Sequence, residues 1–153
     1  MLSVGDLMHT HVCRVEPSQK VVDVARILIL HDADCALITH DGVLLGIATE
    51  RDLLRSVLPT EAEINERDSL RVFADLVEVA RDHFPSPVES VMTSPVRTLS
   101  PDTSLIRALS AMLSGGIHRL PVVDSNGAVV GLVTQRDLLR AVFMEFQGAA
   151  GVS

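Results

Sequence analysis

Apolar positions along this chain follow two periods that alternate. Val21, Val24, Ala25 and Leu28 fall at three- and four-residue steps, as do Leu105, Ala108, Leu109 and Met112, which predicts two amphipathic helices. Each helix is preceded by a short apolar stretch, residues 12–15 and 96–99. Both stretches end at a Glu-Pro or Ser-Pro step, where proline lacks a donor and restrains its predecessor, so regular pairing stops. Val122-Val123 and Val129-Val130 flank Asn126-Gly127, two residues that tolerate positive φ, which predicts a β-hairpin; Asp41-Gly42 takes the same part earlier. A closing helix is expected after Thr49 and again after Thr134.

The order β-α-β-β-α therefore occurs twice, and the residues repeat with it. Gly46-Ile-Ala-Thr-Glu-Arg-Asp-Leu-Leu-Arg55 returns as Gly131-Leu-Val-Thr-Gln-Arg-Asp-Leu-Leu-Arg140, identical at seven of ten positions. Upstream of the hairpins the copies are 84 residues apart, and downstream 85, so one extra residue sits in the second hairpin turn. The copies span residues 4–58 and 88–143, joined by a linker over 59–87 and followed by a tail over 144–153. A single β-α-β-β-α unit is too small to cover its own sheet. The expected fold is α+β, with the two units packed by pseudo-twofold symmetry around a central cleft.

The linker carries seven acidic residues against three Arg. Its Leu70, Phe73, Val77, Ala80 and Phe84 recur at helical steps, so one face is apolar and is expected to pack on its own domain, a partner surface being the alternative. The Pro85-Ser86-Pro87 segment should end this helix.

Composition narrows the class. With 153 residues, 47% hydrophobic and 22% charged, the chain is globular in character, one domain or two halves sharing a core. A net charge of −7 argues against binding a phosphate backbone or an anionic membrane. Four Phe, with no Trp or Tyr, leave little for stacking nucleic-acid bases. No apolar run approaches the ~20 residues of a membrane span. The first eight residues hold Asp6 and no basic flank, unlike a signal peptide. Cys13 and Cys35 do not make a disulfide framework. A cytoplasmic protein is expected.

No nucleophile–base set stands out, and Lys20 is the lone lysine, so catalysis is not expected. His9, His11 and Cys13 alternate and would share one face of a strand, with His31 and Cys35 four apart elsewhere. That is short of a four-ligand zinc pattern, and no metal is expected, although a metal or redox sensor is the third reading. The repeated Gly-x-x-Thr-x-x-Asp (Gly46, Thr49, Asp52; Gly131, Thr134, Asp137) carries most information. Thr followed by an acid three residues on reads as a helix cap. The same geometry suits a ligand, since a carboxylate can accept from two adjacent hydroxyls of a ribose while a helix start favours an anion. Both readings can hold at once.

The doubled β-α-β-β-α unit, His118-Arg119-Leu120-Pro121-Val122-Val123-Asp124 and the Gly-Leu-Val-Thr-Gln-Arg-Asp segment closely resemble the CBS (cystathionine beta-synthase) domain family, and the tandem resembles a Bateman module. The resemblance implies regulatory, non-catalytic binding of an adenosine ligand such as AMP, ADP, ATP or S-adenosylmethionine. It implies no resident cofactor, a homodimer, and an unidentified protein target. The rival is an interaction scaffold that binds no nucleotide. Carried over by residue, Asp52 and Asp137 would hold two riboses with Thr49 and Thr134 beside them. Ala33, Asp34 and Cys35 would line one adenine slot, and Ile117 with Pro95, Val96 and Arg97 the other. His118 and Arg119 would reach a phosphate of the nucleotide held by Asp52, while Arg136 and Arg51 are weaker phosphate candidates.

Charge separates the copies. Residues 1–58 hold five basic and eight acidic side chains, whereas 88–153 hold five of each. A phosphate near Asp32 and Asp34 would meet like charge. One phosphorylated nucleotide held well per chain, with a weaker second site, is the expectation.

Overall fold

The computed structural model describes residues 2–57 and 69–150, with the side chains of 69–72 and 150 outside that description. The end of the first repeat at residue 58, the expected linker's residues 59–68 and the last three residues therefore lie outside the described residues, as does the side chain of Leu70. In chain order the described elements are α1 (Val4–Leu7), β1 (Arg14–Val15), α2 (Val21–Leu30), β2 (Cys35–His40), β3 (Val43–Thr49), α3 (Glu50–Arg55), α4 (Ser69–His83), a 3-10 turn (Val88–Ser90), α5 (Leu105–Gly115), β4 (Arg119–Val123), β5 (Val129–Thr134) and α6 (Gln135–Ala150). The last helix runs on through most of the segment expected as a tail.

The chain divides into two compact units that cut across the sequence copies. One holds the described residues of Cys13–His40 and Leu45–Pro95; the other holds those of Met1–Val12, Asp41–Leu44 and Val96–Ser153.

In the first unit the sheet runs β1-β2-β3, with β1 parallel to β2 and Arg14 opposite Leu37. The strand expected over 12–15 is only two residues long, because Pro17 limits how far pairing can extend. α2 turns Val21, Val24 and Leu28 inward onto Val15, Ala36, Ile38, Ala48 and Leu53. In the second unit β4 and β5 pair antiparallel, Arg119 opposite Thr134. Here the strand expected over 96–99 shrinks to one parallel bridge, Leu99 to Val122. α5 is capped by Ser104 Oγ, which accepts the Arg107 N–H at 3.4 Å, and it buries Ala108, Ala111 and Met112.

The two buried cores match at most positions, with side chains of different size. Val24, Ala36, Ile38 and Ala48 of the first correspond to Ala108, Leu120, Val122 and Val133 of the second. The second unit has the smaller residue at the first and third of these pairs and the larger at the other two, and Leu99 stands where the first has Val15.

One matched pair is exchanged. Val4, from the first sequence copy, is fully buried in the second unit's core, and Val88, from the second copy, is fully buried in the first unit's. Backbone bonds anchor the exchange: Val4 N–H donates to Thr103 O at 2.8 Å, and Val88 N–H to Gln19 O at 2.7 Å. Each unit thus takes its lead-in segment from the other copy.

The hairpin turns differ by the extra residue. Asp41 and Gly42 both adopt positive φ, 51° and 81°. In the second turn Gly127 alone does so, not Asn126 as expected. The added residue makes a three-residue loop, a tight turn followed by a left-handed glycine. Gly127 N–H donates to Asp124 O at 3.0 Å, and Asp124 Oδ1 accepts from the Asn126 and Ala128 N–H groups.

α4 only partly meets the expectation of a packed face. Phe84, just past its end, packs on the first unit's core, whereas Phe73 and Val77 are exposed. No described helix is long and apolar enough to cross a membrane.

Candidate functional site

Each Gly-x-x-Thr-x-x-Asp sequence carries the chain from a strand into a helix, and the glycine is there for clearance. A Cβ on Gly46 would lie 3.0 Å from Thr93 O, and one on Gly131 2.9 Å from His9 O, with the Met92 and Met8 side chains also in the way. The lead-in segments run this close because they pair with the strands. Thr93 and Ile47 exchange backbone bonds of 2.8 and 3.1 Å, and His9 and Leu132 exchange bonds of 2.8 and 2.9 Å. Met8 and Met92, aligned in sequence, therefore set His9 and Thr93 beside the two motifs.

The threonines cap as the sequence suggests. Thr49 Oγ1 accepts the Asp52 N–H at 3.3 Å, while Asp52 Oδ2 accepts from Thr49 N–H at 2.8 Å and Thr49 Oγ1 at 3.1 Å. In the second unit Thr134 Oγ1 accepts the Asp137 N–H at 3.2 Å, and Asp137 Oδ2 accepts from Thr134 N–H at 2.9 Å and Thr134 Oγ1 at 2.8 Å. In both, the cap engages Oδ2 and fixes the rotamer, leaving Oδ1 for other partners.

The two Oδ1 atoms have different company. Asp52 Oδ1 meets the exposed Thr93 hydroxyl at a long 3.4 Å. Asp137 Oδ1 meets His9 Nε2 at 2.8 Å, and its side chain is only 8% exposed against 54% for the imidazole. His9 was singled out in the sequence as an alternating partner of His11 and Cys13. The structure corrects that geometry: 9–13 is not a strand, His9 points at Asp137, and Cys13 O accepts from Leu37 N–H in the first unit. Among the described residues no three His, Cys, Asp or Glu side chains gather as metal ligands. Burial pushes the Cys13 thiol up from its ordinary value, away from the reactive thiolate a redox sensor needs.

The other expected residues distribute as follows. In the first unit Glu50 N–H donates to Asp34 O at 3.0 Å, which brings residues 33–35 to the start of α3 beside Thr49. Asp34 is exposed and Ala33 half-buried, but Cys35 is buried and offers little side-chain surface for a slot. In the second unit the equivalent bond runs from Gln135 N–H to His118 O at 3.0 Å. Gln135 also holds His118, with Oε1 3.0 Å from Nδ1, and its Nε2 donates to Ile117 O at 3.4 Å. His118 is thus an exposed, oriented imidazole, and Arg119 next to it is half-buried. Arg97 Nη1 donates to Ala111 O at 3.4 Å, and it lies with Ile117 beside Gly115, so these two residues of the expected adenine slot border one glycine. Val96 and Ile117 are half-buried, and Arg51 and Arg136 are exposed in the first turns of α3 and α6. Three residues escaped the sequence reading of this site: His9, Thr93 and Gln135. The 84-residue alignment held the signal for the first two, because it puts them at one position.

A family model for the CBS domain matches residues 4–59 and 88–143. The CBS domain-containing protein YhcV of Bacillus subtilis is 33% identical over 138 residues, covering 90% of this chain and 84% of that protein. An uncharacterized protein of Methanopyrus kandleri is 30% identical over 140 residues, covering 91% of this chain but only 62% of its own length. Among solved structures, the CBS-pair protein CBSX2 from Arabidopsis thaliana superposes with a TM-score of 0.77 at 25% identity, covering 95% of this chain and 96% of that one. The crystal structure of CBSX2 in complex with AMP superposes at 0.71 with 26% identity, covering 93% and 96%. The family model matches twice in one chain, and each match holds a strand ending at a capping threonine with an aspartate in the first turn of the helix that follows: the chain belongs to the CBS domain family.

Proposed function

We propose that this chain is a non-catalytic regulatory module whose Asp52 and Asp137 anchors serve an adenosine-containing ligand, with AMP the first candidate. The carrying observation is the carboxylate geometry. Each cap fixes its aspartate through Oδ2, and at Asp52 this holds Oδ1 in place to accept a ribose hydroxyl with little ordering cost. The complex of CBSX2 with AMP supports the choice of ligand. His118, oriented by Gln135, and Arg119 are the proposed contacts for a phosphate. Thermal unfolding with rising AMP tests the reading. Binding should raise stability with the logarithm of concentration, about 2.7 kcal/mol at 100 times Kd. Asp52→Ala should remove the shift while leaving the fold intact; no shift with AMP, ADP, ATP or S-adenosylmethionine would favour the scaffold reading.

A specific observation also favours assembly. Ile29 (79% exposed), Leu30 and Leu54 of the first unit and Leu113, Leu139 and Phe143 of the second are large apolar residues facing outward. Two pairs, Ile29 with Leu113 and Leu54 with Leu139, are equivalent positions, so the exposure repeats with the fold. A recess of about 290 Å³ lined by Ala25, Leu28, Ile29, Leu53, Leu54 and Phe84, among others, lies beside the first set. A homodimer through such faces is the proposed state. Light scattering should give twice the chain mass, and Leu113→Lys with Leu139→Lys should return it to monomer. Signalling to a partner protein would act through a ligand-dependent shift between arrangements of this assembly.

A further inference from the structure

The two anchors share one backbone and one cap but differ in what touches the outward oxygen. In the first unit the neighbour is a threonine hydroxyl at 3.4 Å, a weak contact that a ligand hydroxyl can replace. In the second it is an imidazole nitrogen at 2.8 Å on a carboxylate almost wholly buried. His9 is also not free to drift. Its N–H and C=O are both bonded to Leu132, at 2.8 and 2.9 Å, and the preceding Met8 packs over Gly131 and against the second core. Both anchors carry three contacts on two oxygens, but at Asp137 the one on Oδ1 is short and the side chain only 8% exposed, so the two hydroxyls of a vicinal diol must displace the imidazole to enter.

We infer that His9 is the residue that decides where this chain takes its adenosine ligand: it occupies the Asp137 anchor as a built-in substitute for the ribose and leaves Asp52 as the working anchor. The inference rests on the adenosine reading of the anchors. It adds to the charge difference between the copies a named side chain and a reversible contact. A ribose can enter at Asp137 only by expelling an imidazole bonded to a carboxylate, which lowers affinity there on the order of 10- to 100-fold. The aligned residue Thr93 shows the alternative, so exchanging the two residues should exchange the behaviour.

The test is AMP binding by titration calorimetry on the full chain, read as sites per chain. Wild type should bind one AMP, lost in Asp52→Ala and kept in Asp137→Ala. His9→Thr, which copies the first unit, should add a second site that disappears in His9→Thr with Asp137→Ala. Thr93→His should weaken the Asp52 site on the order of 10- to 100-fold. His9→Gln, whose amide can still donate to Oδ1, should stay at one site; this guards against a mere folding effect of losing the imidazole. Two equally tight sites in wild type, or a single site that His9→Thr leaves unchanged, would overturn the inference while the adenosine reading stands. Failure of AMP to bind wild type and His9→Thr alike would overturn the adenosine reading, and this inference with it.

Discussion

Asp52 and Asp137 receive the same two bonds from their capping threonines, yet the lead-in residue beside one is Thr93 and beside the other His9. The pattern extends outward. At the start of the closing helices Glu50 stands where Gln135 stands in the second copy, and at the ends of the preceding helices Asp32 (φ 49°) stands where Gly116 (φ 60°) stands. The repeats agree at the glycine, threonine and aspartate that build each anchor and differ at residues placed around it. Fold and selectivity are thus recorded at different positions of one template.

If the cores are equivalent, breaking them should cost alike. Leu28→Ala and Met112→Ala each remove a large side chain from a matched buried position, and urea unfolding should show a loss of about 2–5 kcal/mol for both. A near-neutral result in one unit alone would mean its core is held by something other than this cluster. Next in size, Gly46→Ala and Gly131→Ala push a Cβ against the lead-in backbone and should each lose roughly 1–3 kcal/mol. Thr49→Ala and Thr134→Ala remove the caps, at about 1 kcal/mol each by the same measurement, and free both aspartates to change rotamer.

Two smaller effects sharpen the difference instead. Asp32→Gly should stabilise the first unit by roughly 0.5–1 kcal/mol, because a left-handed residue at a helix end suits glycine, partly offset by the looser unfolded chain. The smallest is a pH effect confined to the second unit's lead-in. The Ser3 N–H, and then its hydroxyl, hold the exposed Asp6 carboxyl below the usual carboxylate range. With a folded value below the unfolded one, the contribution is present above the ordinary value and fades as pH falls through the lowered one. The aligned residue in the other lead-in is Ser90, whose neutral hydroxyl donates to Pro87 O at 2.7 Å. Protection factors for the amides of residues 4–8, which correct for the pH dependence of intrinsic exchange, should therefore fall in acid while those of 88–92 do not, and Asp6→Asn should erase the contrast.

Much of this fold was legible because it is local. The doubled motif, the helix periods, the Asp41-Gly42 turn and both threonine caps depend on neighbours within a few residues. The first strands were overread, since apolar stretches at 12–15 and 96–99 say nothing of how few residues find a pairing edge. The linker face was overread too, as periodicity reports an apolar stripe but not what covers it; Phe73 and Val77 stay exposed. Of the site, Thr49, Asp52, Thr134 and Asp137 were readable from spacing. His9 was visible only as an odd histidine, because its contact spans 128 residues and depends on the lead-in crossing to the other unit. The bond from Arg97 to Ala111 O was unreadable for a similar reason, since it joins a loop to a helix 14 residues on.

That crossing has a consequence for how such a chain can be taken apart. Val4 and Val88 are each a keystone in the other copy's arch, so a fragment bearing a single repeat would carry an apolar plug with nothing to fill and a hollow with nothing to fill it. Neither repeat is an excisable building block, and trimming at residue 88 should yield an aggregating half instead of a smaller working protein.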